Sequence, residues 1–326
     1  MEHLPFVSAL LVTRNEKDYI RMSLMSLINQ TYPKSCYEII IIDGESNDGT
    51  LDEVKSIQAE YCSDDFSISI IPNPKRILAA GWNLGIKAAK GEYVVRIDAH
   101  SVATEDFIAK SVETMMRVNA VCVGGKLISK SLNGDDDVVS KVLSSPFGVG
   151  NSSFRVSEQE GYADTAVYGL YKRSIFYEAG YFDEALVRNQ DIEMHSRIKA
   201  AGGKFYFNPQ IQCTYYTRNT VKKMMRQAYG NGYWNMVLLK RGSSALSLRH
   251  LVPFAFVLYL ILSIIGGFFF KPFWYLAICV VVFHLCMGFL FATKKSRKFA
   301  DWMKMPVLFL LLHLSYGAGY LVSLFK

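Results

Sequence analysis

Apolar and polar positions follow two rhythms along this chain. Up to about residue 220, short apolar runs alternate with segments of helical spacing. Val7–Val12 reads as a strand. Glu38-Ile-Ile-Ile-Ile-Asp43 is an apolar run closed by an acid, as expected of a strand buried on both faces. Ser67–Ile71, Tyr93–Ile97, Ala120–Val123, Ala163–Tyr171 and Lys204–Phe207 read as further strands, the last stopped by Pro209. Tyr19–Ile28 places Ile20, Leu24, Leu27 and Ile28 on one side of a helix. Further helices are predicted from Thr50, with Glu53 completing a capping box, and over Ala79–Lys90, Phe107–Val118, Arg173–Ala179 and Asp191–Ala201. This alternation predicts an α/β fold with a mostly parallel sheet and helices on both faces. Residues 129–162 are rich in Ser, Asn, Gly and Asp and read as a long solvated loop, with the Asp135-Asp136-Asp137 run in its middle.

The second rhythm begins at residue 251. Leu251–Phe270, Phe273–Thr293 and Met305–Phe325 are each about 20 residues without an acidic or basic side chain. At about 1.5 Å per residue, each matches a hydrocarbon core about 30 Å thick. Only Lys271 and Pro272 separate the first two, which predicts a tight helical hairpin. The third contains Ser315-Tyr-Gly-Ala-Gly319, a stretch compatible with a broken or re-entrant helix. Between the two rhythms, Val221–Leu239 mixes Lys222, Lys223 and Arg226 with Met224, Met225, Tyr229, Tyr233 and Trp234. That pattern suits an amphipathic helix in a membrane interface. The expected organisation is a catalytic domain over 1–220, an interface helix and linker over 221–250, and a membrane domain over 251–326.

Composition sharpens this picture. With 51% hydrophobic and 20% charged residues, intrinsic disorder is excluded. The last 76 residues hold seven Lys/Arg and one acid, Asp301, and so carry nearly all of the net charge of +7. The first 250 residues are almost balanced, which speaks against a nucleic-acid partner and for a membrane. Lys240, Arg241 and Arg249 precede the first span, and Lys294, Lys295, Arg297, Lys298 and Lys304 follow the second. The positive-inside tendency then predicts a multi-pass protein with a cytoplasmic catalytic domain and Lys326 outside. None of the six cysteines is spaced C-x-x-C, and reduced thiols are expected.

Three carboxylates carry the candidate chemistry. Asp43 and Asp98 close predicted strands, where ligands of parallel sheets bind, and Asp191 opens a helix. Asp98-Ala99-His100 sends a carboxylate and an imidazole from one strand edge, a pair able to share a divalent cation.

At this point the chain resembles the family 2 glycosyltransferases of the GT-A fold over roughly residues 5–235. Pro5–Glu16 resembles the family's first strand and P-x-R-N-E loop, and Leu24–Pro33 its S-L-x-x-Q-x-Y-P segment. Ile42–Thr50 resembles its nucleotide loop, and Ala80–Tyr93 its A-x-N-x-G-x-x-x-A-x-G-E-Y segment. Asp98-Ala-His100 stands where the family has D-x-D. Gly180–Glu184 and Asn189–Glu193, with Arg197, stand where it has G-x-F-D-E and E-D-x-E-L-x-x-R. The form is most similar to succinoglycan-type exopolysaccharide glucosyltransferases.

The resemblance implies an inverting, metal-dependent hexosyltransferase. Its donor would be a UDP-sugar such as UDP-glucose, its acceptor a lipid-linked oligosaccharide, and its setting bacterial exopolysaccharide biosynthesis at the cell inner membrane. Asp191 would be the general base. Thr13, Asn15, Glu16, Asp43, Asn83 and Asp98 would hold the donor, and Asp98 with His100 would bind Mn²⁺ or Mg²⁺. Two departures stand out: His100 replaces an acid, which favours Mn²⁺, and Gln190 replaces the first acid of E-D. A processive synthase would carry Q-x-x-R-W, which Arg226–Trp234 does not match, and more spans. A non-catalytic sugar-nucleotide-binding subunit is the other alternative.

Overall fold

The structure is a computed structural model that describes residues 4–131, 137–150, 157–217 and 220–326. It divides into two units. The first comprises residues 1–129 and 153–217, the second residues 130–152 and 218–326.

The first unit begins with β1 (Val7–Thr13), α1 (Lys17–Ile28), β2 (Tyr37–Asp43), α2 (Thr50–Tyr61), β3 (Ile68–Pro72), α3 (Leu78–Ala88) and β4 (Tyr93–Asp98). β5 (Ser101–Ala103), α4 (Phe107–Arg117) and β6 (Cys122–Ser131) follow. The described strands form one nine-stranded sheet in the order β3-β2-β1-β4-β8-β6-β9-β5. Its later members are β7 (Gly161–Ala163), which pairs with β9, β8 (Leu170–Lys172) and β9 (Phe205–Thr217). β1 to β4 run parallel; the pairs β4–β8, β6–β8, β5–β9 and β7–β9 are antiparallel.

The isoleucines of β2 show how the sequence selects this architecture. Ile39 and Ile41 join a core cluster with α1, α2 and α4, whereas Ile40 and Ile42 face a second cluster with α3. Side chains of a strand alternate by face, so only a fully apolar run serves a sheet covered on both sides. All four are at most 1% exposed, and each buried side chain stabilises the fold by about 1.5–3 kcal/mol. Truncating Ile41 to Ala would cost about 2–5 kcal/mol.

Three local expectations are corrected. Thr50 is the first residue of α2 rather than its cap; Gly49 precedes it at φ 94°, and the Thr50 hydroxyl donates to Asp48 Oδ1 at 2.5 Å. Glu53 instead pairs with Arg21. The run Ala163–Tyr171 is interrupted, because Tyr168 takes φ 46°, a conformation no strand accommodates. Pro209 does not stop the last strand. β9 exchanges partners there, pairing with β7 before the proline and with β5 after it. Two short helices complete this unit, α7 (Ile175–Glu178) and α8 (Gln190–Ala200).

The second unit contains α5 (Val138–Leu143), α6 (Pro146–Val149), α9 (Val221–Lys240), α10 (Leu248–Gly267), α11 (Pro272–Lys295) and α12 (Phe299–Leu324). The expected long loop thus contains two helices. Asp137 caps the first, accepting from Val139 N and Ser140 Oγ, both at 3.0 Å; Asp135 and Asp136 lie outside the described residues. α10, α11 and α12 are long and apolar enough to cross a membrane. α12 is continuous through Ser315–Gly319. All six cysteines are free thiols.

Candidate active site

Parallel pairing brings the first candidates together. Thr13 pairs with Asp43 and Val12 with Asp98, so both aspartates reach the carboxyl edge on either side of β1. Asp43 is 4% exposed. Its Oδ2 accepts the Ser46 amide at 2.9 Å and its Oδ1 the Ser46 hydroxyl at 2.6 Å. Asn15, at φ 55°, stitches the neighbouring loop to this one. Its Oδ1 accepts Asn47 N and its own amide donates to Ser46 Oγ, both at 2.9 Å. Glu16 N donates to Thr50 Oγ1 at 2.8 Å and Lys17 N to Asp48 Oδ2 at 3.1 Å. The loop after β2 is therefore knitted in place by its own polar groups and those of the loop after β1.

Asp98 is half-buried and held differently. Its Oδ2 accepts the Tyr168 hydroxyl at 2.9 Å, and among the described residues no partner engages Oδ1. Tyr168 also meets Ser101 Oγ at 2.7 Å. Burial, then the Asp98 charge, push its phenol well above the ordinary value, so it remains a donor. His100 Nδ1 lies 3.1 Å from Glu16 Oε1, with Tyr215 and Tyr19 edge-on to the ring. Burial alone would lower the His100 pKa. The hydrogen bond that His100 donates to Glu16 and the charges of Asp98 and Glu16 outweigh it and raise the pKa above the ordinary value.

Among the described residues, no group of three His, Cys, Asp or Glu is arranged to hold a metal. Asp98 and His100 fit the smaller task. They offer one uncommitted carboxylate oxygen and one uncommitted ring nitrogen, and hard divalent cations often complete their shell with substrate phosphates and water. Asp191 lies in the first turn of α8, half-buried, after Asn189 at φ 60°. Its Oδ1 accepts Ile192 N at 2.9 Å. Asn83 is committed structurally. Its Nδ2 donates to Phe182 O and Glu184 Oε1, and its Oδ1 accepts Phe182 N, all at 2.9 Å. Arg197 holds the same turn through the Ala179 and Tyr181 carbonyls.

Sequence reasoning missed Arg96, although an arginine inside an apolar strand is a visible anomaly. It is 7% exposed, caged by Trp82, Tyr171 and Phe182 with ring centres 5.0–5.4 Å away. Burial opposes its charge, but Tyr171, Asp191 and Asp98 raise its pKa, so it stands as a fixed cation behind both carboxylates. His195, one turn after Asp191, binds Thr165 and Tyr171 at 2.6 and 2.7 Å. Burial, then the charges of Arg96 and Lys199, hold it neutral, well below the ordinary value.

Two kinds of tension converge on this edge. The non-glycine residues with positive φ among those described are Asn15, Glu45, Arg76, Tyr168 and Asn189, which lie in the loops named above or beside them. Such conformations cost about 1–3 kcal/mol each and cluster at binding sites. The buried side-chain polar atoms without a partner in this unit, among the described residues, are Thr13 Oγ1, Asn73 Oδ1, Arg96 Nε and Gln190 Oε1. Asn73 follows β3 and donates its amide to the Asp43 carbonyl, and the other three sit at or behind the aspartates.

Comparison with known proteins gives this geometry a context. Residues 8–180 match the profile of "Glycosyl transferase family 2". The chain is 32% identical, over 98% of both sequences, to a dolichyl N-acetyl-α-D-glucosaminyl phosphate 3-β-D-2,3-diacetamido-2,3-dideoxy-β-D-glucuronosyltransferase of Methanococcus voltae. It is 25% identical to the succinoglycan biosynthesis protein ExoA of Rhizobium meliloti, over 74% of this chain and 72% of that one. Among solved structures, a Pyrobaculum calidifontis mannosyltransferase in complex with GDP-Man and Mn²⁺ superposes with a TM-score of 0.63. It shares 17% identity over 97% of this chain and 88% of that one, a likeness of fold. The architecture of the first unit is GT-A-like.

Proposed function

Because the chain belongs to glycosyl transferase family 2, we propose that it moves one sugar from a UDP-sugar onto a lipid-linked saccharide at a membrane, inverting the anomeric centre. The observation that carries this reading is the shared carboxyl edge: Asp98 and His100 leave β4 there, and Asp191 opens α8 within the electrostatic reach of Arg96. Donor binding falls to the loop of Asp43, with Thr13, Asn15 and Glu16. Asp98 and His100 would hold Mn²⁺ or Mg²⁺, which when bound supplies Lewis-acid stabilisation of the departing diphosphate. Asp191 takes the proton from the acceptor hydroxyl as that oxygen attacks the anomeric carbon. A single displacement needs no covalent nucleophile.

The acceptor class is supported by the Methanococcus relative, whose name describes transfer to a dolichyl phosphate-linked sugar. That name also favours a second donor reading, a UDP-linked uronate, beside UDP-glucose. Polysaccharide assembly is supported by the succinoglycan relative. The catalytic unit would work on the cytoplasmic side of the inner membrane. The test is a donor screen with the full chain in detergent, measuring released UDP with and without polyprenyl-linked acceptor and with and without Mn²⁺. Acceptor-stimulated, metal-dependent UDP release from one donor is expected. No release from any nucleotide sugar would leave the chain as a binding subunit, and long polymer product would make it a processive synthase.

A further inference from the structure

We propose that α12 lies within one leaflet instead of crossing the bilayer, so that Lys326 is on the same side as the start of α10 and the end of α11. α10 and α11 form an antiparallel hairpin. Near its tip Gly266 faces Phe273 and Gly267 faces Trp274; farther back, Phe256 stacks on His284 with ring centres 5.1 Å apart. At about 1.5 Å per residue, Phe256 is about 12 Å from the start of α10 and His284 about 16 Å from the end of α11. The two estimates define one level, near the middle of the hairpin.

α12 can be followed against this ruler. Trp302 meets Phe289 at 6.3 Å, about 9 Å from the end of α11. Pro306 packs on Gly288, and His313 Nδ1 lies 2.8 Å from His284 Nε2, at the middle level. A crossing helix would next approach the tip. The contacts of α12 instead return towards the open end: Gly317 packs against Pro253 and Val257, Tyr320 stacks on Phe254 at 5.3 Å, and the Tyr320 hydroxyl donates to the His250 carbonyl at 3.1 Å. His250 is only about 3 Å along α10. From Trp302 to Tyr320 the helix advances about 27 Å along its own axis. It ends about as near the open end of the hairpin as it began.

α9 supplies an independent reason. It runs beside α12 from Met224, clustered with Phe309 and Leu312, to Lys240, whose Nζ donates to the Ser323 carbonyl at 2.7 Å. The contact is intimate: a Cβ on Gly232 would lie 1.9 Å from the Tyr316 carbonyl oxygen, and one on Gly319 2.1 Å from that of Tyr229. If α12 crossed, α9 would cross with it, carrying exposed Lys222, Lys223, Arg226 and Lys240 into hydrocarbon. Each would cost about 2.5 kcal/mol or more at the bilayer centre. In an in-plane arrangement the exposed Met303 and Val307 of α12 meet acyl chains, and Lys294, Lys298 and Lys304 meet lipid headgroups. The partner is therefore a single leaflet of lipid.

The full chain, with its six cysteines replaced by serine or alanine, tests this with Ser247→Cys, Lys271→Cys and Lys326→Cys added singly. Each is labelled with a membrane-impermeant maleimide in intact bacterial cells and in inverted vesicles. Lys326→Cys should label in the same preparation as Ser247→Cys and opposite to Lys271→Cys, whichever way the hairpin inserts. Labelling together with Lys271→Cys, or equally in both preparations, overturns the proposal. Should the cysteine-free chain not accumulate, alkaline phosphatase fused after Lys326 and after Lys271 of the native sequence decides it. Opposite activities support the in-plane helix, and equal activities refute it.

Discussion

Asp43 and Asp98 close strands on either side of β1, and along the sequence they look alike: an apolar run, then an aspartate. Their surroundings differ. Asp43 is buried, with both oxygens taken by Ser46. Asp98 is half-buried, with one oxygen held by Tyr168 and the other uncommitted. The first carboxylate builds a loop that is finished before any ligand arrives. The second is positioned but left with capacity, and it shares Arg96 with Asp191. Two strand-end aspartates thus differ in spare capacity according to what the surrounding loops donate to them.

The largest predicted effect falls on the open side. Asp191→Asn should lower the rate of transfer about 10²- to 10⁴-fold, the usual contribution of a general base, while UDP affinity changes little. Steady-state transfer with parallel calorimetry of UDP checks this, and near-native turnover would make Asp191 a helix-start residue only. His100→Ala should raise the metal concentration for half-maximal activity by about 10- to 100-fold, the range seen when metal-site support is removed. His100→Asp should shift preference from Mn²⁺ towards Mg²⁺. Superimposable Mn²⁺ and Mg²⁺ titrations for the three proteins would remove His100 from the metal. Only neutral imidazole ligates, so its raised pKa means that metal-dependent activity should already fall on acidification somewhat above pH 6.5.

On the closed side the effects should be smaller. Ser46→Ala removes the side-chain bond to Asp43 and loosens Asn15, and should weaken UDP binding by about 5- to 10-fold, the equivalent of one hydrogen bond. An unchanged KM for donor would show that the loop needs no such brace. The smallest effect separates His100 from His195 in metal-free protein. The His100 pKa is raised, so its contribution to stability is full below about pH 6.5 and is lost as pH rises through the folded value. The melting temperature of the wild type should exceed that of His100→Asn by about 1–3 °C at pH 6, and the gap should close by pH 8.5. His195 has the opposite sign. Its pKa is depressed, so its contribution is full above about pH 6.5 and shrinks as pH falls and the unfolded chain takes up the proton.

How much of this was readable beforehand depended on how local the cause is. The isoleucines of β2, the parallel order and the strand-end aspartates follow from alternation over a few residues. Local signals also misled: the Thr50–Glu53 pair looked like a capping box until Asp48 took the threonine hydroxyl. The partnership of Tyr168 with Asp98 spans 70 residues and turns on one backbone angle that no propensity announces. Arg96 was visible as an oddity, but its cage is assembled from α3, β8 and the loop before α8. α5 and α6 went unread for the same reason: the partners of their few apolar residues lie in α9, α11 and α12.

That last arrangement constrains the order in which the molecule can be made. Val138–Val149 interrupt the catalytic unit in sequence but pack with helices from the end of the chain. Lys141 of α5 donates to Asp301 at 2.7 Å, 160 residues later, and Phe147 of α6 stacks on Phe291 and packs edge-on against Phe309. At roughly 5–20 residues per second of synthesis, Lys141 waits on the order of ten to thirty seconds for its counter-ion. During that interval α5 and α6 lack α11 and α12 to settle on. A chain cut after Leu239 would lack α11 and α12 permanently, with Val139, Val142 and Phe147 stripped of their contacts from those two helices. The catalytic unit therefore cannot be released cleanly by trimming the end; a soluble version calls for replacing residues 130–152 with a short polar bridge as well.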